Sequence, residues 1–232
     1  MIPGARPPES SPSGLPDPTA RIVSRRLRGA RRHRLQEAVR TGKLIRVAED
    51  DVLAEAALPQ LATRSVWLFV ISAVVYAGVI ELARQWLHAS QLLGAGPLLL
   101  RIGLLVALNI LGYVAMIPAH EAVHALVILA LGGRPRFGLK FPLAAYCTAP
   151  NQLFPRNDYL AVALAPLIVL SGLALIIAAL APNVAAALLL AVAGNVSGAV
   201  GDLEVTRAIR QQAPDTLVAD TATGYIAYRL EP

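Results

Sequence analysis

The chain has 232 residues, of which 56% are hydrophobic and only 16% are charged, and its mean hydropathy is +0.56. This balance lies well outside that of a soluble globular domain, so a soluble enzyme is largely excluded. The net charge of +6 comes from basic residues concentrated in a few segments, which favours a role in membrane topology over nucleic-acid binding. The composition predicts an integral membrane protein.

The first 64 residues precede the apolar part of the chain. Residues 1–20 carry six prolines together with serine and glycine, and this composition predicts disorder. Residues 21–64 contain a run of arginines interleaved with aliphatic residues. Such a pattern predicts a basic helical segment in the cytoplasm, next to anionic lipid.

Four apolar segments follow. A helix needs roughly 20 apolar residues to cross the hydrocarbon, and the four segments are near or above this length. They are residues 66–83, 98–131, 159–181 and 184–202. Pro118 would kink the second segment, and the Pro182-Asn183 pair predicts a tight turn between the last two. Of the 21 Lys and Arg residues, 19 lie in residues 1–64, 133–158 and 203–232. The positive-inside rule therefore predicts four spans with both termini and the central loop in the cytoplasm.

The predicted fold is an all-α membrane protein. Residues 65–202 form its four-helix transmembrane core, and residues 203–232 form a cytoplasmic tail with two short strands. After the second span, Phe137, Leu139 and Phe141 alternate with glycine and lysine, which predicts a short strand or hairpin insertion.

The residues that carry chemistry lie inside the second apolar segment, in the sequence His120-Glu121-Ala122-Val123-His124. Positions i and i+4 of a helix share a face, so His120 and His124 can bind one Zn²⁺ while Glu121 acts as a base on the attacking water. An ionisable residue in a membrane helix costs about 2.5–3.5 kcal/mol and is a functional hypothesis by default. The alternative is a polar cluster that bridges helices without a metal.

Two histidines leave a zinc site short of a third protein ligand. The acidic residues in or near the later spans, apart from Glu121, are Asp158, Asp202 and Glu204. Asp202 ends a glycine-rich stretch at the cytoplasmic end of the fourth segment, at a depth similar to that of His124. Its alternative role is an ion pair or a helix cap. Asn195, seven residues earlier, lies on nearly the same helix face and could instead make an interhelical hydrogen bond.

These features occur together in one family. They are the two histidines and the glutamate in a membrane helix, the strand-like segment after it, the Ala-Pro-Leu stretch around Pro166, and the glycine-rich segment ending in Gly201-Asp202. Over residues 65–228 the chain resembles the integral-membrane zincin peptidases related to the site-2 protease superfamily. The resemblance implies that Zn²⁺ is bound by His120, His124 and Asp202. It also implies that Glu121 is the general base and that Asn195 is an oxyanion or substrate contact.

The resemblance implies an intramembrane zinc metalloprotease that hydrolyses membrane-associated substrates near the cytoplasmic side. The high content of Ala, Arg, Leu and Pro suggests a bacterial source, so the expected location is a bacterial cytoplasmic membrane. The expected partners are a membrane protein or peptide substrate and the lipid bilayer, with no nucleic acid. The strand of Phe137, Leu139 and Phe141 could capture a substrate by β-augmentation, or it could rest on the bilayer as an interfacial hairpin. The alternative function is a non-catalytic membrane scaffold with structural or absent zinc, although a structural site needs no base such as Glu121.

Overall fold

The computed structural model describes residues 15–27, 29–52, 54–88, 97–140, 144–221 and 223–231. These residues form two compact units. The first unit contains the described residues of Met1–Glu55, His124–Leu164 and Asp202–Pro232, and the second contains those of Ala56–Val123 and Ala165–Gly201. Three of the four boundaries between the units fall inside helices, and the fourth, between Glu55 and Ala56, precedes the helix Leu58–Trp86.

The first unit is built around a five-stranded sheet. Its strands are β1 (Arg21–Ile22), β2 (Leu44–Asp51), β5 (Gln152–Pro155), β6 (Leu217–Asp220) and β7 (Gly224–Leu230). They lie in the order β1-β5-β6-β7-β2. β1 runs parallel to β5, and the other neighbouring pairs are antiparallel. The sheet therefore joins three parts of the chain that are far apart in sequence.

A short amphipathic helix, α1 (Gly29–Arg40), packs against this sheet. The helix ends where Gly42 adopts a φ of +68°, and the Lys43 N–H donates to the Ala38 carbonyl at 2.9 Å, which turns the chain into β2. The shared core consists of buried residues from α1, from the segment that ends in β1 and from the other strands: Ala20, Ile22, Leu35, Ala38, Val39, Leu44, Leu153, Leu217 and Tyr228.

A separate two-stranded antiparallel hairpin also belongs to the first unit. It consists of β3 (Arg136–Lys140) and β4 (Ala144–Thr148). Gly138 stands opposite Tyr146, and a Cβ at Gly138 would lie 2.3 Å from the Tyr146 ring, so the ring covers the glycine. The predicted strand after the second apolar segment is therefore confirmed over Phe137 and Leu139, whereas Phe141 lies outside the described residues.

Three helices are long and apolar enough to cross a membrane, counting only the residues that the structure describes. They are α2 (Leu58–Trp86), α3 (Leu98–Ala130) and α4 (Arg156–Leu180). α3 continues through Pro118. Large aliphatic side chains are exposed along all three helices, among them Val74, Leu99 and Leu173. Contiguous exposed apolar surface of this kind is typical of helices that contact lipid.

Small residues allow the helices of the second unit to pack closely. Two shorter helices, α5 (Pro182–Ala187) and α6 (Leu189–Gly198), follow α4. The ring of Tyr113 on α3 lies where a Cβ of Gly194 on α6 would be, at 2.6 Å. The Tyr76 hydroxyl of α2 donates to the Ala174 carbonyl of α4 at 3.0 Å. On α3, the buried Asn109 donates to the Ala186 carbonyl at 3.0 Å and accepts from the Leu190 N–H at 3.0 Å.

The prediction of a mainly helical fold is confirmed in part: most described residues are helical, but the first unit also contains a five-stranded sheet that was not predicted. The sequence pattern hides these strands for physical reasons. β1 has two residues, and β2 is an edge strand in which only Leu44 is buried, so β2 shows little apolar alternation. The two strands predicted in the tail do exist as β6 and β7, but they are interior strands of the larger sheet.

The prediction of one basic helical segment over residues 21–64 is also incorrect in detail. Only α1 and the start of α2 are helical there, and the remainder includes β1 and β2. The predicted boundary of the disordered segment at residue 20 is too late, since Ala20 is 2% exposed in the core. The predicted disorder of residues 1–14 lies outside the described residues.

The fourth predicted span, residues 184–202, is not one helix. It is divided among α5, α6 and a further helix, α7 (Val200–Gln211), with breaks at Leu188 and Ala199. The breaks occur in a segment that contains three glycines, which weaken helices. Pro182, predicted in a tight turn, is instead the first residue of α5, where its missing N–H costs nothing. α6 has ten residues, too few to cross the hydrocarbon alone.

Candidate metal centre

Helix α3 carries the two histidines that the sequence pattern singled out. His120 and His124 are one helical turn apart, and both are buried, at 9% and 8% exposure. The next position after His120 is the half-buried Glu121. Ligand atoms of His120, His124 and Asp202 all lie within 4.8 Å of one another, so one cation could contact all three.

The ring orientation of His124 is fixed by a backbone carbonyl. Its Nδ1 lies 2.9 Å from the carbonyl oxygen of Val162 on α4. A carbonyl can only accept, so Nδ1 carries the proton and donates it, and Nε2 becomes the ligand atom. Nε2 lies 3.5 Å from Oδ2 of Asp202, in the first turn of α7. Two electron-pair donors that face each other at this distance suit a cation between them.

The ring of His120 is oriented by a side-chain amide. Its Nδ1 lies 3.0 Å from Oδ1 of Asn195 on α6. The amide nitrogen of Asn195 donates to the Pro166 carbonyl at 3.5 Å and to the Ser171 hydroxyl at 3.3 Å, so the amide oxygen faces His120. His120 is therefore also protonated on Nδ1, and Nε2 is its ligand atom. Asn195 is 2% exposed and holds a histidine in this structure, while its predicted role as a substrate contact stays a prediction.

The donor set fits zinc. Two imidazole nitrogens and one carboxylate oxygen form a usual three-residue protein ligand set for catalytic zinc, which leaves a further coordination position for water or substrate. Histidines that bind zinc usually donate the other ring N–H to a carbonyl or carboxylate, and both rings here donate to an oxygen. His120, His124 and Asp202 could therefore form a zinc site.

Residues 113–217 match the model of a family described as "Putative zincin peptidase". The matched region covers fewer than half of the 232 residues but includes His120, His124 and Asp202. The match supports a zincin-like family. Such a family implies zinc as the cofactor and suggests metallopeptidase activity. No curated protein and no solved structure matches this chain.

Asp158, one of the acidic residues considered as a third ligand, serves another purpose. It is 3% exposed, and its carboxylate accepts a hydrogen bond from the Ser24 hydroxyl and lies 3.7 Å from the Arg26 guanidinium. Ser24 in turn accepts the backbone N–H groups of Arg26 and Leu27 at 3.1 and 3.2 Å. Asp158 therefore ties the chain after β1 to the start of α4.

A second carboxylate of interest in the first unit, the half-buried Asp220 at the end of β6, has no signal in the sequence. The Tyr159 hydroxyl donates to Oδ1 of Asp220 at 2.8 Å, and the Ala149 N–H donates to Oδ2 at 3.1 Å. Burial raises the pKa of Asp220 to about 6, although these hydrogen bonds and the nearby His124 act in the opposite direction. In a sequence, an aspartate at the end of a strand usually indicates a turn. The contact of Asp220 with Tyr159 is seen only in the folded chain.

The β3–β4 hairpin presents an exposed apolar face. Phe137 and Leu139 point to the same side of β3 and are 63% and 81% exposed. β4 is the strand that pairs with β3 within the described residues, and it takes one of the two edges of β3. The predicted substrate contacts Phe137 and Leu139 thus stand on an accessible strand, and their role stays a prediction.

Proposed function

We propose that the chain is a zinc metallopeptidase that hydrolyses peptide bonds of membrane-associated substrates. The observation that carries the proposal is the convergence of His120, His124 and Asp202 beside Glu121 on a helix apolar enough to span a membrane. A purely structural zinc site would not need the glutamate. The family match to a peptidase supports the same activity.

The residues have distinct roles in the proposed reaction. His120, His124 and Asp202 hold the zinc ion, which when bound supplies a Lewis acid that polarises the scissile carbonyl and lowers the pKa of the attacking water. Glu121 accepts the proton of that water on a carboxylate oxygen and passes it to the leaving amine nitrogen. The amide bond breaks as the amine takes up this proton, and one water is consumed for each peptide bond.

The substrate is proposed to bind along β3. An extended segment that adds to the second edge of β3 would gain main-chain hydrogen bonds, while Phe137 and Leu139 contact its side chains. A transmembrane helix has its amides already hydrogen-bonded, so the substrate must unwind locally before it can pair. This mode of binding accounts for an accessible apolar strand in the unit that also contains His124.

The proposed location is a cytoplasmic membrane, with the basic segments on the cytoplasmic side. This proposal is supported by the position of 19 of the 21 Lys and Arg residues in residues 1–64, 133–158 and 203–232, which leaves only Arg84 and Arg101 elsewhere in the sequence. A bacterial source, both termini in the cytoplasm and a multi-pass topology remain part of the proposal.

Loss of the base should abolish hydrolysis without loss of the metal. We expect Glu121→Gln to reduce turnover at least about 100-fold, since general base catalysis contributes that much or more, while zinc content stays unchanged. The measurement follows cleavage of two probes, a single-span membrane peptide and fluorescein-labelled casein, by zinc-loaded protein in proteoliposomes. Products are identified by mass spectrometry.

The matched control is Glu81→Gln, the same change of carboxylate to amide on α2, which should leave turnover unaltered. Equal hydrolysis by wild type and Glu121→Gln would contradict the proposal. Zinc-loaded wild type that cleaves neither probe would favour the non-catalytic scaffold.

A further inference from the structure

Helix α4 contains a fully buried proline, Pro166, whose position in the helix has a specific chemical consequence. In an α-helix each carbonyl accepts the N–H of the residue four positions later. The partner of the Val162 carbonyl would be the N–H of residue 166, which proline does not have. The proline therefore leaves the Val162 carbonyl without its helical donor in the interior of the protein.

The carbonyl that loses its donor is the one that holds His124. Nδ1 of His124 lies 2.9 Å from the Val162 oxygen and satisfies it. A buried carbonyl without a partner is costly, so this contact is stabilising for α4 as well as orienting for the ring. With a residue other than proline at 166, a helical N–H would compete with His124 for the same oxygen.

The carbonyl of Pro166 itself acts on the other histidine. It accepts the amide nitrogen of Asn195 at 3.5 Å, and the Ser171 hydroxyl accepts the same amide at 3.3 Å. These two acceptors on α4 force the amide oxygen of Asn195 toward Nδ1 of His120, 3.0 Å away. Residue 166 thus acts toward both histidines, through its missing N–H toward His124 and through its backbone carbonyl toward His120.

We infer that Pro166 is a positioning residue for the metal centre: because it has no N–H, it leaves the Val162 carbonyl to His124. Its backbone carbonyl, together with the Ser171 hydroxyl, holds the Asn195 amide that orients His120. Both imidazoles are thereby held with the proton on Nδ1, which makes Nε2 the nitrogen that would bind a metal. The inference rests on the proposed zinc site and adds residues that contact no metal themselves. It gives the Ala-Pro-Leu stretch a role other than a helix kink.

The variant Pro166→Ala separates this role from a packing role, because the two predict opposite changes in stability. Alanine supplies the missing N–H and removes the ring that crowds the Val162 carbonyl, so α4 should become more stable. We expect the metal-free variant to unfold at a higher temperature than wild type and yet to bind zinc 10–100-fold more weakly, the usual effect of losing such an orienting contact. Zinc affinity is measured by competition with a chromogenic chelator in detergent.

Two further variants test the branch through Asn195. Asn195→Ala should weaken zinc binding by the same 10–100-fold, and Ser171→Ala should weaken it less, because the Pro166 carbonyl still holds the amide. The matched control is Asn109→Ala, which removes another buried asparagine with three hydrogen bonds to neighbouring backbone. It should lower the unfolding temperature and leave zinc affinity unchanged.

Nitrogen NMR of histidine reads the tautomers without any metal. The chain has four histidines, so a ¹⁵N-histidine sample gives few signals to assign. In metal-free wild type, His120 and His124 should both show a proton on Nδ1. In Pro166→Ala the His124 signals should shift toward a mixture of tautomers, and in Asn195→Ala the His120 signals should do so.

Wild-type zinc affinity in Pro166→Ala, or a loss of affinity that comes with a loss of stability, would overturn the role of Pro166. Wild-type affinity in Asn195→Ala would overturn the branch to His120. If wild type binds no zinc, the proposed function fails as well. If wild type binds zinc and hydrolyses the probes in a Glu121-dependent way while Pro166→Ala behaves like wild type, only this inference fails.

Discussion

At the scale of single residues, the direction of two hydrogen bonds decides which nitrogen of each histidine could bind a metal. His120 and His124 each use Nδ1 to donate, and the acceptors are an amide oxygen and a backbone carbonyl. Neither acceptor carries a charge, so neither of these two contacts is an ion pair. Asp202 then supplies the negative charge that compensates a divalent cation.

Asp220 is the residue whose protonation should be visible in the stability of the protein. Its pKa is about 6 in the folded chain, against 3.8 for an ordinary aspartate, so folding favours the protonated carboxyl. This stabilisation is fully present below about pH 4 and is lost as the pH rises through about 6. The loss amounts to at most about 3 kcal/mol, from about 1.4 kcal/mol for each pH unit.

We therefore expect the unfolding midpoint of wild type to fall, relative to Asp220→Asn, between pH 4 and pH 6, and the difference to level off at higher pH. Thermal unfolding of metal-free protein in detergent at several pH values measures this. Asp215→Asn, an exposed carboxylate change on the same unit, is the control and should follow wild type. Parallel curves for wild type and Asp220→Asn would contradict the raised pKa.

The two histidines and the glutamate could be predicted from the sequence, because four residues of helix fix their relative positions. The contacts that orient them could not be predicted. Val162 and Asn195 are 38 and 75 residues away from the histidines they contact. The sequence alone shows that Pro166 has no N–H to donate. Which side chain donates to the Val162 carbonyl in its place depends on how α4 packs.

At the scale of elements, the five-stranded sheet constrains how often the chain can cross a membrane. β1 and β2 precede α2, β5 lies between α3 and α4, and β6 and β7 follow α7. Strands of one sheet must lie on one side of the bilayer. If α2, α3 and α4 each cross it once, the chain between α4 and β6 must cross it once more.

We expect this return to occur through α5 and α6, as a broken helix that other helices shield from lipid. Single cysteines in a Cys147→Ala background test it with a membrane-impermeant maleimide on sealed vesicles of both orientations. Cysteines at Arg34 and Glu231 should be labelled from the same side, and a cysteine at His88 from the opposite side. If the cysteines at positions 34 and 231 were labelled from opposite sides of the membrane, the chain would have no return crossing.

Long apolar helices could be predicted from composition, since about 20 consecutive apolar residues have few other uses. Breaks within such a segment are harder to foresee. In residues 184–202 the apolar character continues across Leu188 and Ala199, where the helix nevertheless ends. The short strands were missed because β1 and β5 are recognisable only through the partners with which they pair.

At the scale of the whole molecule, the fold brings together chemistry from distant parts of the sequence. Residues 113–217, the region that resembles a zincin peptidase, supply both histidines, the glutamate and Asp202. Segments outside this region, including β1, β2 and β7, complete the sheet. The candidate active residues could thus be named from sequence, whereas the sheet that α1 packs against required the structure.

The measurement that tests the central claim most directly is zinc per chain, by elemental analysis of detergent-purified protein. Wild type, Glu121→Gln and Asn109→Ala should each carry close to one zinc per chain. His120→Ala, His124→Ala and Asp202→Ala should carry little, because removing any of the three leaves two protein ligands. Full zinc occupancy in Asp202→Ala would show that the third ligand lies elsewhere, and a wild type without zinc after zinc addition would contradict the metal centre itself.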